Sequence, residues 1–228
     1  MKHFRLLLAA LTVFAACGTR NAAPQAGTAG TAAIQTGDLI FVALPLQFDA
    51  APGAPTLHVQ SDTEEVLYAH VAIADVVGDS IYVIDATLAH GVDRHPIDTL
   101  FATFTLADGT QPRYDLFRLN DNSRAQQYAA QARRFVGRRY DVGLDIRDTD
   151  QYCSELVANS YVNGTDTLFP FRAIDLRASD GAIPRYWEFL CGLIGVPVPQ
   201  GKLGIMPSDL SRDPGLTCVC LGWQPPRR

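Results

Sequence analysis

The stretch that most restricts the fold is residues 66–86. Residues 66–77 run Val-Leu-Tyr-Ala-His-Val-Ala-Ile-Ala-Asp-Val-Val, Gly78-Asp79 is a turn pair, and residues 81–86 return as Ile-Tyr-Val-Ile-Asp-Ala. Two apolar, β-branched runs around such a pair predict a β-hairpin. The register follows from the turn: with a loop of two or of four residues, Ala72 lies opposite Asp85 and His70 opposite Thr87. Side chains alternate along a strand, so His70, Ala72, Asp85 and Thr87 share one face. His70 and Asp85 are then diagonal neighbours, roughly 7–8 Å apart at the backbone, and a carboxylate there can reach an imidazole nitrogen. Val71, Ile73, Val83 and Ile84 are read as the opposite face. A bulge would break this register.

A second stretch, Tyr152-Cys153-Ser154-Glu155-Leu156-Val157, reads as the start of a helix with a thiol in its first turn. Asp148, Thr149 and Asp150 are candidate N-caps, Leu156, Val157 and Tyr161 an apolar stripe, and Asn163-Gly164 a stop signal. A thiol at a helix start faces unpaired N–H groups and the positive end of the dipole, which favour thiolate. Cysteine is also a common small core residue, and position alone favours that reading.

The remaining segments complete an alternation of strands and helices. Thr36-Gly37-Asp38 is a turn before an apolar strand at 39–44, and Asp38 is read as fixing that turn. Residues 45–63 are loop-like and predicted to border a cleft. Residues 91–100 read as a short strand and turn, and 114–119 as a further strand. A helix over 124–136, capped by Asn122 or Ser123, carries an apolar stripe through Val136 and ends at Gly137. Arg133, Arg134, Arg138 and Arg139 are read as a solvated basic patch. A short helix is expected at 184–190, an extended piece at 196–199, and a turn into a helix at 205–210. His90 and His95 are rivals to His70, each beside a turn residue and less firmly held by packing.

The first residues do not belong to the fold. Lys2, His3 and Arg5 precede an apolar run at 6–16 that is too short to span a bilayer as a stable helix. The run ends in Ala15-Ala16-Cys17-Gly18, similar to a bacterial lipobox, which implies cleavage of a signal peptide (1–16) and a lipid on Cys17; ordinary secretion with cleavage elsewhere and an uncleaved anchor are the competing readings. Residues 17–34 are poor in bulky side chains and read as a tether. A globular domain over 35–224 and a frayed tail at 225–228 follow. The expected place is the bacterial cell envelope, with a membrane partner through the anchor. A net charge of −5 without a basic stripe argues against a nucleic-acid partner. Of the five cysteines, Cys17, Cys153, Cys191, Cys218 and Cys220, export allows Cys191 to bridge Cys218 or Cys220. The Cys218-Val219-Cys220 spacing is not that of a common zinc knuckle, and neither a metal nor another cofactor is expected.

Three separated pieces then coincide: Gly37-Asp38-Leu39-Ile40-Phe41; His70-Val71-Ala72-Ile73 with Asp85-Ala86; and Tyr140-Asp141 followed by the Tyr152 to Val157 run. Together with Ile205-Met206-Pro207-Ser208-Asp209-Leu210 they resemble the permuted papain-like, NlpC-related cysteine hydrolases of the YiiX/YaeF type. In that branch the histidine precedes the cysteine, as here. The resemblance implies an α+β fold in which a small antiparallel sheet packs against the cysteine helix. It implies Cys153 as nucleophile, His70 as base and Asp85 as the third polar residue. Asp85 stands where many relatives carry Glu, and its shorter reach makes its bond to His70 the weakest expected link. Tyr140 is either an oxyanion helper or packing. The expected activity is cleavage of an amide bond in a peptide or cell-wall-derived substrate. The alternatives are lipid acyl hydrolysis or transfer by the same Cys–His pair, and a non-catalytic binding module; small-molecule, peptide and lipid ligands are all admitted.

Overall fold

The computed structural model describes residues 32–48 and 65–224. The expected signal peptide, Cys17 and most of the tether lie outside them, as do 225–228 and much of the 45–63 loop.

The strands are β1 (Leu39–Pro45), β2 (Val66–Val77), β3 (Ser80–Thr87), β4 (Gly91–Pro96), β5 (Arg113–Leu119), the short β6 (Val162–Asn163), β7 (Asp166–Thr167), β8 (Arg172–Ala173) and β9 (Leu203–Gly204), and β10 (Leu216–Cys220). Five helices intervene: α1 (Ile97–Phe104), α2 (Ala125–Arg133), α3 (Cys153–Ser160), α4 (Arg185–Ile194) and α5 (Pro207–Ser211). The main sheet has six strands in the order β10-β5-β1-β2-β3-β4, and every pairing is antiparallel. The sheet is larger than the expected one.

The hairpin register matches the sequence argument. Ile73 pairs with Ile84 and Val77 with Ser80, and the same register sets Ala72 against Asp85. A bulge does occur, but on the β1 side of β2, where Val42 pairs His70 and Ala43 pairs Tyr68. Alternation divides the core in two. Leu39, Phe41, Val71, Ile73 and Ile84 pack with Leu156 and Val157 of α3. Ile40, Val42, Ala72 and Val83 pack on the other face with Ile97 and Leu100 of α1. Val83 therefore lies on the face of Asp85, not with Val71 and Ile84, as strict alternation from Asp85 requires. A third cluster joins α4 to Leu44, Leu67 and Met206.

Several local expectations are corrected. Residues 97–104 form a helix, not a turn; Ile97 and Leu100 are its buried stripe and Asp98 its acidic first turn. The helix read at 124–136 ends at Arg133, and its N-cap is Arg124, not Asn122 or Ser123. Val136 is exposed. Arg133 is not merely solvated, because its guanidinium binds buried Asp75. Residues 216–220 are an edge strand. A bulge at Val219 places Cys218 in one core cluster and Cys220 in the other. Cys153, Cys191, Cys218 and Cys220 are buried and none is in a disulfide among the described residues, so neither bridge considered for Cys191 is formed.

Candidate active site

Three of the residues singled out in the sequence meet at one place. His70 Nε2 lies 2.8 Å from Asp85 Oδ2, with both side chains buried. Aspartate is long enough here because the two residues are diagonal neighbours across β2 and β3. Cys153 acts on the same ring as a hydrogen-bond partner and as a charge. With Nε2 engaged by Asp85, Nδ1 remains for the thiol. Phe104, from the helix missing in the sequence reading, lies over the ring at 4.6 Å between centroids.

The charges follow from this packing. Burial disfavours imidazolium, but Cys153 and Asp85 outweigh it and lift His70 to about 10. Burial works against the Asp85 carboxylate too, yet bonds from His70 and His95 hold it well below the usual range. His95 is not loosely held, as its turn position suggested. It is buried, and its Nε2 is 3.0 Å from Asp85 Oδ1.

The helix start that presents Cys153 is fixed from several sides. Its N-cap is Tyr152, not Asp148, Thr149 or Asp150. The Tyr152 N–H donates to Glu155 Oε2 at 3.3 Å, satisfying an end group of the helix. Tyr152 Oη accepts the Ile205 N–H at 3.0 Å, and Ser154 Oγ donates to the Ile205 carbonyl at 2.8 Å. The segment before α5 is thus a clamp on the cysteine turn. At the other end α3 stops at Ser160, and Tyr161 Oη donates to the Gly37 carbonyl at 2.8 Å. Asn163-Gly164 serves the β6–β7 hairpin instead of ending the helix. Asp38 holds the turn before β1, accepting the Gln35 N–H at 2.7 Å and pairing with Arg118.

Tyr140 pairs in a parallel bridge with Gln151, two residues before the thiol. Burial first, then the charges of Cys153 and Tyr186, push its phenol well above its ordinary range. It is therefore an O–H donor at neutral pH. Tyr186 of α4 also feels Cys153, although burial is the larger cause of its raised phenol. The helix is legible in the sequence, but its place beside the site is not. The only hint was an aromatic triplet, Tyr186-Trp187 followed by Phe189.

A thiol at a helix start, a buried imidazole and a carboxylate on an antiparallel sheet make a papain-like arrangement, here with the histidine strand preceding the cysteine helix. Residues 33–220 match the family model described as permuted papain-like amidase enzyme, YaeF/YiiX, C92 family. The chain belongs to that family. It is 24% identical over 192 residues to the uncharacterized protein YiiX of Escherichia coli (strain K12), covering 83% of this chain and 87% of that protein. It also resembles the crystal structure of metalloprotein YiiX from Escherichia coli O157:H7, with a TM-score of 0.56 and 26% identity over 83% of this chain and 98% of that one.

Proposed function

We propose that this amidase-family protein is a cysteine hydrolase that cleaves an amide bond through a thioester on Cys153. The observation that carries the reading is one ring, His70, engaged by Asp85 and by Cys153 at the same time. In the proposed sequence, Cys153 Sγ attacks the carbonyl carbon as thiolate, with the proton on His70. The oxyanion accepts from the Cys153 backbone N–H at the helix start and from the Tyr140 phenol. His70 passes its proton to the leaving nitrogen as the C–N bond breaks. Water, giving a proton to His70, then attacks the thioester and frees the acid and the thiol. Asp85 fixes the ring and its tautomer.

The substrate proposed is a peptide or cell-wall-derived amide. A lipid anchor on Cys17 and a place in the bacterial cell envelope belong to the same proposal, supported by the lipobox-like residues alone. A lipid acyl substrate is the second reading. It rests on the same Cys153–His70 chemistry, which attacks an ester carbonyl as readily as an amide.

A panel of peptide amides and acyl-lipid esters, turned over by wild type and by Cys153→Ala, tests both readings. Loss of about 10³-fold or more in the variant is expected. Equal turnover removes the nucleophile. Hydrolysis of esters but not of amides selects the second reading. In parallel, His70→Ala is expected to slow iodoacetamide alkylation of Cys153 near neutral pH.

A further inference from the structure

The turn between β3 and β4 collects three potential ligands that the hydrolytic reading does not use together. We propose that Asp85, His90 and His95 bind a transition-metal ion of the zinc type, through Asp85 Oδ1 and the Nε2 atoms of both histidines. One ligand atom from each lies within 4.8 Å of the others.

The hydrogen bonds behind the rings choose the nitrogens. His90 Nδ1 is 3.0 Å from the Gly91 carbonyl, and His95 Nδ1 is 3.1 Å from the Pro96 carbonyl. A carbonyl only accepts, so each Nδ1 carries the hydrogen and each neutral ring keeps its lone pair on Nε2. Anchoring the outer N–H on a backbone carbonyl is the usual support of a metal-bound histidine. At His95 the result is two acceptors face to face, Nε2 and Asp85 Oδ1, 3.0 Å apart. Only a cation between them relieves that contact. A proton serves the pair alone, whereas a metal ion also accounts for the approach of His90, whose ring centroid is 5.2 Å from that of His95.

The donor set fits the ion. Two imidazoles and a carboxylate suit borderline ions such as Zn²⁺, and three protein ligands leave a fourth position for water. Donors around tetrahedral zinc stand about 3.3 Å apart, given metal–ligand bonds of about 2.0–2.1 Å. The Asp85–His95 separation already suits this. His90 at the turn is the member that closes, while Asp85 keeps Oδ2 on His70.

The test uses the full chain carrying Cys153→Ala, so that binding is read independently of any catalytic role and without that thiol as a competing ligand. After chelator treatment the protein is titrated with Zn²⁺ by calorimetry and with Co²⁺ by visible absorption. One ion per chain is expected, with a cobalt spectrum of low coordination number. His90→Gln, which leaves the bonds of Asp85 to His70 and His95 in place, should weaken binding about tenfold or more. His95→Gln should abolish it. Absence of saturable binding, or affinity and spectrum unchanged in His90→Gln, overturns the site and leaves a protonated His95–Asp85 pair. Should His95→Gln fail to fold, the His90→Gln comparison decides alone.

Discussion

At the scale of single residues, the most exacting environment is that of Glu155, wholly buried two residues beyond Cys153 in the same first turn of α3. Burial raises its carboxyl to about 8, with Asp141 and Asp148 adding to the effect and the Tyr152 N–H opposing it. The folded chain therefore holds a proton that the unfolded chain releases near 4.5. Stability must fall as pH rises through the window from 4.5 to about 8. Glu155→Gln keeps an acceptor for the helix start and removes the titration. Relative to this variant, wild type is expected to lose stability on the order of a few kcal/mol between about pH 5 and about pH 9. A constant difference in melting temperature across that range would refute the account. Cys153, His70 and Asp85 were legible in sequence because a turn fixes the strand register and a helix start fixes the thiol. Tyr186, Phe104 and His95 were not, since their relation to the site depends on how distant segments fold back on one another.

At the scale of elements, the β2–β3 hairpin was readable because period and turn agree. Helix α1 is masked in the sequence by Pro96 and the strand pattern that precedes it. Its apolar residues Ile97, Leu100, Phe101 and Phe104 do recur at helical spacing. Strand β10 is hard to read in the sequence because its bulge breaks the alternation and Cys218-Val219-Cys220 also reads as a ligand pair. The junction between β4 and the loop leading to Tyr140 gives a prediction at this scale. Gly91 has φ +70°, and a Cβ there would stand 2.2 Å from the Arg138 carbonyl oxygen. On either side, Val92 N–H donates to Arg138 O at 2.8 Å and Gly137 N–H to Val92 O at 2.9 Å. Gly91→Ala must therefore strain the backbone and open this seam, at about 2–4 kcal/mol. Gly78 shares the left-handed backbone, with φ +57°, but nothing lies near its missing Cβ. Gly78→Ala should cost only about 1 kcal/mol. Equal losses in chemical denaturation would show that the approach of Arg138 does not matter.

At the scale of the whole molecule, helices cover both faces of one sheet, and a buried charge network reinforces the junction of β2, β4 and α2 that the first apolar cluster also forms. Asp75 of β2, wholly buried, binds Arg94 of β4 at 2.6 Å and Arg133, the last residue of α2, at 2.8 Å. This network was illegible in sequence, where the arginines near Gly137 read as surface charge, because the partner lies across the sheet. Burial works against the Asp75 carboxylate, but the two guanidinium groups prevail and hold it below its ordinary 3.8. Its contribution to stability is therefore present above that value and lost as pH falls below it. Removing the carboxylate strands two partly buried guanidinium groups, which costs more than the pair itself contributes. Asp75→Ala is expected to lose about 3–5 kcal/mol, roughly 10 °C in melting temperature for a domain of this size. Asp75 lies five positions along β2 from His70, about 16 Å at the rise of a strand. The folded variant should thus keep the wild-type rate of Cys153 alkylation at neutral pH. A rate lowered as far as in His70→Ala would mean that the network also sets the geometry of the thiol and the imidazole. The sheet would then transmit strain to the site instead of only supporting it.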